Sequence, residues 1–355
     1  MSLDQQIDRL IKPLAEGLSD IVFYQISVFG QGFPLIVLWL VTAAVFFTGY
    51  LGFINIRGFS KAISLVSDTS GKTSGPGEIS HFQALSTAIS GTVGVGNIGG
   101  VAVAISIGGP GAAFWLFMAG FLGMSTKFVE CTLGVKYRRV NPDGSVSGGP
   151  MYYLERYLLD RGFPQLGKLL GGFYALALVI GCFGIGNMFQ SNQAYVQVLS
   201  ITGGENSFFA DKGWLFGLLL AGAVAAVIIG GIRSIANVAS KIVPFMAVLY
   251  VFSAVIIIAM SAEHLIGAIG LIVSSAFEAQ SMTGGAIGAM IVGFQRAVFS
   301  NEAGIGSASI AHSAVKTDEP VTEGLVSLLE PFIDSMLICT LTALVIVTTA
   351  YPNGL

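Results

Sequence analysis

Long apolar runs separated by short polar segments make up most of the chain and predict a bundle of membrane-spanning helices. Roughly 20 consecutive apolar residues suffice for a helix to cross a bilayer. The apolar runs that meet or approach this length are 34–53, 82–107, 112–135, 169–200, 214–231, 238–260, 286–311 and 325–350. A further apolar segment, residues 265–280, is short and interrupted, so we expect it to lie at the membrane surface or to insert only in part.

The first 32 residues have a different pattern, because apolar residues recur there at helical spacing among charged ones. The apolar positions are Leu3, Ile7, Leu10, Leu14, Leu18 and Ile21. This pattern predicts an amphipathic helix that lies on the membrane surface. The acidic residues within the segment argue against a cleaved signal peptide, which has a positively charged start. We therefore divide the chain into an interfacial segment, 1–32, and one transmembrane domain, 33–355.

Two of the apolar runs are interrupted near their centres by glycine, which costs a helix about 1 kcal/mol per residue relative to alanine. The interrupting residues are Gly91, Gly94 and Gly96 in run 82–107, and Gly304 and Gly306 in run 286–311. Small residues also line ordinary helix contacts in membranes. Two broken spans at corresponding positions of two halves, however, are typical of the midplane binding site of a secondary transporter.

The amino-acid composition supports the assignment of this chain to the integral membrane proteins. The chain is 54% hydrophobic and only 10% charged, whereas soluble domains carry about 25% charged residues. A net charge of −3 without a basic patch gives no indication of nucleic-acid binding. The three cysteines all fall in apolar runs, which argues against a disulfide framework and against a metal cluster.

The distribution of lysine and arginine predicts the orientation of the chain in the membrane. If residue 1 is outside, the cytoplasmic loops 54–81, 136–168, 232–241 and 312–324 hold twelve basic residues. The outer segments then hold three, at Arg9, Lys12 and Lys212. Because basic residues accumulate in cytoplasmic loops, we expect the N-terminus outside, provided that 265–280 does not cross.

Several charged residues fall within the apolar runs. Lys127 and Glu130 are three positions apart, so we expect them to share a helix face and to neutralise each other. Glu302 lies beside the second group of glycines and is either a functional group or a permanently paired one. Glu330 and Asp334 are four apart and repel each other, so one of them should be hydrogen-bonded, protonated or at the membrane edge.

Particular sequence blocks resemble the alanine/glycine:cation symporter family, the bacterial and archaeal amino-acid carriers usually described as sodium:alanine symporters. The blocks are Ser86-Thr87-Ala88, Gly94-Val95-Gly96-Asn97-Ile98, Gly108-Gly109-Pro110-Gly111-Ala112, Gly148-Gly149-Pro150-Met151-Tyr152-Tyr153, Asn187-Met188-Phe189-Gln190, and Phe299 to Ala308 with Ala311-His312. The resemblance extends from about Pro34 to the end of the chain.

The resemblance implies an all-α integral membrane fold like that of the leucine transporter, an inverted-repeat helix bundle with one extra N-terminal helix at 34–53. Core helices 1–7 would then occupy about 82–350. Since the repeat needs ten, core helices 8–10 would be absent and the bundle incomplete at its C-terminus. The implied function is import of alanine or glycine with sodium, by alternating access, in the inner membrane of a prokaryote. A proton-coupled symporter and a fragment without transport activity are the alternatives.

The same resemblance, with the physics of helix ends, nominates site residues. Free N–H groups at the first break would bind the amino-acid carboxylate, and carbonyl oxygens there would bind sodium. The predicted substrate-binding residues are Thr92, Val95, Gly96, Gln190, Ser300, Asn301, Gly304, Ile305 and Gly306. The predicted sodium ligands are Ser90, Thr92, Val93 and Asn97. We expect no cofactor other than the coupling ion Na⁺.

An enzyme or a channel would need other features. No GxSxG-type elbow or metal-ligand spacing supports an enzyme that uses His312 with Ser309 or Glu302. A channel should show repeated filter segments or rings of charge, and the paired broken spans favour a carrier instead. We therefore expect a transporter with no catalytic residue.

Overall fold

The computed structural model describes residues 3–28, 31–68, 75–278 and 285–350, and these form a mainly helical bundle. The α-helices are Leu3–Val22, Leu35–Tyr50, Ile54–Arg57, Phe59–Ser67, His81–Thr92, Val101–Gly108, Gly111–Lys136, Pro150–Asp160, Pro164–Gly181, Gln190–Ile201, Gly213–Ile228, Gly231–Met260, Ala262–Ser275, Gly285–Asn301, Ala308–Ser313, Pro320–Ser327, Leu329–Pro331 and Thr340–Ala350. Gly96–Gly100, Cys182–Phe189 and Phe332–Cys339 are π-helical, and Gly204–Asn206 is a 3₁₀ turn.

Two short antiparallel hairpins complete the secondary structure of the described residues. Gln25–Val28 pairs with Gln31–Pro34, and Arg139–Val140 pairs with Val146–Ser147. The all-α membrane class is confirmed at this level. The leucine-transporter-like inverted repeat and the division at residue 32 stay predictions, although a helix does occupy Leu3–Val22.

Among the described residues, four helices are long and apolar enough to cross a membrane. They are Gly111–Lys136, Pro164–Ile201, Gly231–Met260 and Pro320–Ala350. A fifth span is formed if the bent pair His81–Thr92 and Gly96–Gly108 counts as one. The helices in runs 34–53 and 214–231 are 16 residues each, shorter than those runs. Segment 265–280 forms most of the helix Ala262–Ser275, and its last two residues lie outside the described part.

The first broken span, defined as His81–Thr92 with Gly96–Gly108, bends by 57° at its break. It begins with a capping box, in which Ser80 and Gln83 satisfy each other's backbone N–H groups. It is interrupted at Val93, whose backbone is extended, and the turn through Gly94 leads into the second half. A Cβ at Gly94 would lie only 3.1 Å from the Gln190 Oε1. The glycine here therefore allows a polar side chain to approach the open backbone closely.

The second broken span, Gly285–Asn301 with Ala308–Ser313, is interrupted over 302–307. Gly304 and Gly306 have φ values of 96° and 94°, and Glu302 has a φ of 53°. The left-handed region is costly for residues with a side chain, so glycine is favoured at the first two positions. The sequence prediction of a break at these glycines is confirmed by the backbone geometry.

One helix holds the two broken spans together. This central helix, Gly111–Lys136, packs against both of them and against the last span, Pro320–Ala350. Its core contacts include Leu116, which shares an apolar cluster with Val101 of the first broken span and Phe294 of the second. In Pro164–Ile201 and Gly231–Met260, by contrast, few side chains are buried. Exposed apolar faces of this size are typical of contact with lipid or with further protein.

Candidate functional site

A single buried carboxylate connects the two breaks. Asp334, on the last span, is fully buried and accepts a hydrogen bond from Asn97 Nδ2 at 2.7 Å. It also accepts one from Ser300 Oγ at 2.9 Å and one from Ser335 Oγ at 2.8 Å. Asn97 follows the first break and Ser300 precedes the second. Any change in the contacts of Asp334 therefore affects both broken spans.

Asn97 forms hydrogen bonds through both its side chain and its backbone carbonyl. Its Oδ1 accepts the N–H of Gly94 at 2.8 Å, and this hydrogen bond bridges the open turn of the first break. Its backbone carbonyl accepts the hydroxyl of Thr342 at 2.8 Å, and that hydroxyl also contacts the hydroxyl of Tyr250 at 2.5 Å. Asn97 thus connects the first break to the last span and, through Thr342, to the helix Gly231–Met260.

A cavity of about 1280 Å³ opens beside the first break. Four glutamine and asparagine side chains of one helical span, Asn187, Gln190, Gln193 and Gln197, line the cavity. The other lining residues are mostly apolar, with Asn97, Ser191 and Tyr250 as the polar exceptions. Apolar walls with a few convergent polar groups are typical of small-molecule sites. The N–H of Val95 donates to Gln190 Oε1 at 3.2 Å, so the predicted carboxylate donor has an internal partner in this structure.

The structure brings part of the predicted set together. Among the described residues, Val93, Val95, Asn97 and Gln190 line the cavity, and the other predicted site residues do not. Ser90 is exposed, and its hydroxyl donates to the Thr87 carbonyl at 2.6 Å.

Thr92 and Gly96 are buried next to the cavity without lining it. The Thr92 hydroxyl is directed back toward the carbonyls of Ala88 and Ile89, both at 3.4 Å. A Cβ at Gly96 would contact the ring of Phe299 and the Cα of Ser300, each at 3.6 Å. The structure thus places Gly96 beside Phe299 and Ser300, near the second break, and its role in substrate binding stays a prediction.

The predicted residues of the second break lie mainly against other helices. Asn301 Nδ2 donates to Ser335 Oγ at 2.8 Å, and the Gly304 N–H donates to Glu130 Oε1 at 2.6 Å. A Cβ at Gly306 would meet Pro150 Cγ at 2.4 Å. Side chains of the central helix and the last span therefore hold this break in place. Ile305 differs, since 41% of its surface is exposed.

The buried charges pair differently from the sequence expectation. Lys127 Nζ contacts Glu330 Oε1 at 3.0 Å, and both side chains are fully buried. Glu130 instead accepts the Gly304 N–H, because the last span lies against the face of the central helix that carries Lys127. Lys127 therefore forms its salt bridge with Glu330, and the expectation for Glu130 holds only in that this carboxylate is close enough to interact with the Lys127 charge. Glu302 bonds with the Ser307 hydroxyl.

Asp334 is the functional candidate that the sequence reasoning did not name as a site residue. Its repulsion with Glu330 suggested a hydrogen-bonded carboxylate, and the structure confirms this, with Glu330 paired to Lys127. Among the described residues no cationic side chain forms a salt bridge with Asp334. A buried carboxylate with neutral donors only is a group suited to a hard cation with oxygen ligands.

Comparisons with known proteins agree with the resemblance. A model of the sodium:alanine symporter family matches residues 17–354. The chain is 44% identical over 314 residues to the sodium/alanine symporter AgcS of Methanococcus maripaludis, covering 88% of this chain and 67% of that protein. It is 41% identical over 336 residues to an uncharacterized transporter of Haemophilus influenzae, covering 93% and 70% respectively.

A third relative is the amino-acid carrier protein AlsT of Bacillus subtilis, 34% identical over 317 residues, with 89% of this chain and 64% of that protein covered. This chain therefore spans about two thirds of the length of these relatives. The family match includes both broken spans and all the site residues described above. The chain belongs to the sodium:alanine symporter family, and is a multi-pass membrane transporter rather than an enzyme.

Proposed function

We propose that this protein imports a small neutral amino acid, alanine or glycine, together with sodium. The observation that carries the proposal is the Asp334 carboxylate, which receives hydrogen bonds from both breaks beside the cavity. Symport requires that binding of one substrate changes the affinity for the other. A charged group that touches both broken spans is suited to that coupling.

Sodium binds at Asp334 in this proposal. The carboxylate supplies a charged oxygen, and the Ser300 hydroxyl in contact with it supplies a neutral oxygen. Asn97 contacts the carboxylate through its amide nitrogen, and its Oδ1 accepts the Gly94 N–H. Sodium would compete with the donated hydrogen bonds at the carboxylate, so its arrival rearranges Asn97 and Ser300 together. The carbonyls of Ser90, Thr92 and Val93, nominated from the sequence, stay a prediction for sodium as well.

The amino acid occupies the cavity. Its carboxylate is received by the open N–H groups at the start of the second half of the first broken span, where the helix dipole favours an anion. The Val95 N–H takes part by exchanging its contact with Gln190 Oε1 for the substrate. The cavity exceeds the roughly 300–1,000 Å³ of ordinary small-molecule sites. Closure of its walls is therefore part of the transport cycle.

The proposal extends to the architecture and the membrane. The two broken spans rock around the fixed site, as in carriers with inverted repeats, and the helix Leu35–Tyr50 is the extra N-terminal helix. The protein lies in the cell membrane of a prokaryote with its N-terminus outside, and Leu3–Val22 lies on the membrane surface. Lipid, sodium and the amino acid are its partners.

Uptake into liposomes tests this function. The protein, in the full length in which it is encoded, is reconstituted, and labelled alanine uptake is measured under an inward sodium gradient at equal pH on both sides. A proton gradient without sodium is the second condition, because Glu302 at the second break offers a carboxylate that could carry a proton. Accumulation driven by sodium alone supports the proposal. Accumulation driven only by protons contradicts it and favours the alternative.

A matched pair of variants locates the ion. Asp334→Asn removes the charge from the buried carboxylate, and Asp143→Asn makes the same change on an exposed loop. We expect Asp334→Asn to lose sodium-driven accumulation while Asp143→Asn retains it. Unchanged uptake by Asp334→Asn would show that the sodium site lies elsewhere.

A further inference from the structure

A row of buried ionisable side chains lies apart from the cavity. His81 Nδ1 contacts Glu323 Oε2 at 2.5 Å, and His312 Nδ1 contacts the other oxygen, Glu323 Oε1, at 2.6 Å. On its far side His312 faces Glu330, which pairs with Lys127. Except for His81, whose side chain is 10% exposed, these side chains are fully buried.

The row joins the parts of the protein that the proposed transport cycle would move. His81 begins the first broken span, and His312 belongs to the last helix of the second broken span. Glu323 and Glu330 lie on the last span, and Lys127 lies on the central helix. A change of charge in this row would therefore alter the contacts of both broken spans with the central helix and with the last span.

One contact in the row has no hydrogen bond. His312 Nε2 and Glu330 Oε2 are 3.9 Å apart, somewhat beyond hydrogen-bond distance, and neither atom has a hydrogen-bond partner in the structure. A buried polar atom without a hydrogen-bond partner destabilises the folded protein. A histidine that carries protons on both nitrogens would donate to Glu323 from Nδ1 and to Glu330 from Nε2, and would satisfy both orphan atoms.

The surrounding charges favour such a cation. The central helix contributes Lys127, Glu130 and Cys131, and the last span contributes Glu323, Glu330 and, farther off, Asp334. Three glutamates thus face one lysine. Arg138 is a second cation near Glu323, with its guanidinium hydrogen-bonded to four backbone carbonyls, and Asp318 near Arg138 and Asp68 near His81 add negative charge. Excess negative charge in a buried cluster is costly unless it is neutralised.

We propose that the transporter contains a proton-binding site centred on His312 between Glu323 and Glu330, separate from the sodium and amino-acid sites. His81, the one partly exposed member of the row, gives the proton access from the adjacent aqueous side. His81 takes up a proton from water at Nε2 and gives its Nδ1 proton to Glu323. Glu323 then gives a proton to the bare Nδ1 of a His312 ring that already carries a proton on Nε2. The existence of the site stands on its own geometry, whereas its effect on transport rests on the proposed function.

Nitrogen NMR on the histidines tests the site without any transport measurement. The chain has three histidines, at positions 81, 264 and 312. His264 serves as the internal reference for the NMR signals, since its side chain is 45% exposed. The protein is labelled with ¹⁵N-histidine, and each signal is assigned with a single His→Gln variant. We expect His312 to show the doubly protonated, cationic nitrogen signal in the wild-type protein and to lose one proton as the pH is raised.

The variants Glu330→Gln and Glu323→Gln each remove one negative neighbour while keeping the size of the side chain. We expect loss of the cationic His312 signal in both, with the His264 signal unchanged. Two variants are used so that misfolding of one still leaves a test. A neutral His312 at every pH, or a cationic signal that both variants retain, would overturn the proposal.

Transport provides the second readout. At saturating sodium, uptake by the wild-type protein should vary with pH, and His312→Gln should remove that variation. If no version takes up alanine but the NMR result is as expected, the proposed function fails and the proton site stands. If uptake is sodium-driven, but neither the His312 signal nor the rate changes with pH, the proton site is wrong and the proposed function stands.

Discussion

Three buried carboxylates of this transporter have three different kinds of partner. Glu330 pairs with the ammonium of Lys127, Glu130 accepts a backbone N–H from Gly304, and Asp334 is surrounded by neutral donors. A buried charge is tolerated when it is paired or fully hydrogen-bonded. Because Asp334 alone of these three contacts both breaks without a cation, it is the carboxylate at which a transported cation would have the largest effect.

The Lys127–Glu330 pair leads to a stability prediction at the residue scale. Lys127→Met leaves Glu330 buried without its cation, and breaking a buried pair in this way costs about 3–5 kcal/mol. We expect a marked loss of thermal stability in detergent for Lys127→Met. The double variant Lys127→Met/Glu330→Gln should recover most of that loss. Equal stability of Lys127→Met and the wild-type protein would contradict the pairing in the structure.

Gly304 leads to a second prediction at this scale. Its φ of 96° is strained for any residue with a side chain, and a Cβ would lie 2.4 Å from Leu40 Cδ2. Gly304→Ala should therefore destabilise the protein by about 1–3 kcal/mol. Gly172→Ala is the control, because Gly172 lies exposed in a helix with nothing near its Cβ position. The control should be neutral or slightly stabilising in a thermal unfolding assay.

At the scale of elements, one arginine ties the ends of the two broken spans together. Arg138, just after the central helix, donates to the carbonyls of Ser313, Val315, Thr317 and Pro76 at 2.6–2.7 Å. The segment before the first broken span also forms a parallel bridge with the segment after the second, through Ile79 and Val315. The two broken spans are thus fixed to each other at their ends, through Arg138 and the bridge, as well as near their breaks, through Asp334.

Replacement of Arg138 by lysine tests whether its four hydrogen bonds to carbonyls stabilise the protein. Lysine keeps the charge but lacks the planar fork of five donors, so Arg138→Lys leaves several carbonyls without a partner. We expect it to lower thermal stability by about 1–3 kcal/mol. Arg139→Lys, at the exposed neighbouring position, should have no measurable effect. If the two variants behave alike, the four contacts of Arg138 do not contribute to stability.

The sequence was most informative about local features of the elements. Both breaks were predicted from glycines that interrupt apolar runs, since glycine is unfavourable in a helix whatever its surroundings. The Lys127–Glu330 and Asn97–Asp334 contacts could not be predicted, because their members are 203 and 237 positions apart along the chain. The approach of Phe299 and Ser300 to Gly96 could not be predicted for the same reason. That contact depends on how closely the second broken span approaches.

At the scale of the whole molecule, the basic loops predict the orientation. Asp143 and Glu205 are exposed and lie on either side of the helix Pro164–Ile201, so they should face opposite sides of the membrane. Single cysteines at these positions, in a variant without the three native cysteines, are treated with a membrane-impermeant reagent on intact cells. We expect labelling at 205 and none at 143. Labelling at 143 alone would reverse the orientation.

The central claim is that one carboxylate couples sodium binding to amino-acid binding across the two breaks. Binding of labelled alanine to the purified protein, measured over a range of sodium concentrations, tests it most directly, because linkage requires each ligand to raise the affinity for the other. We expect sodium to increase the affinity for alanine in the wild-type protein and in Asp143→Asn. In Asp334→Asn this increase should be lost. Alanine binding that does not depend on sodium, or a dependence that Asp334→Asn retains in full, would contradict the account.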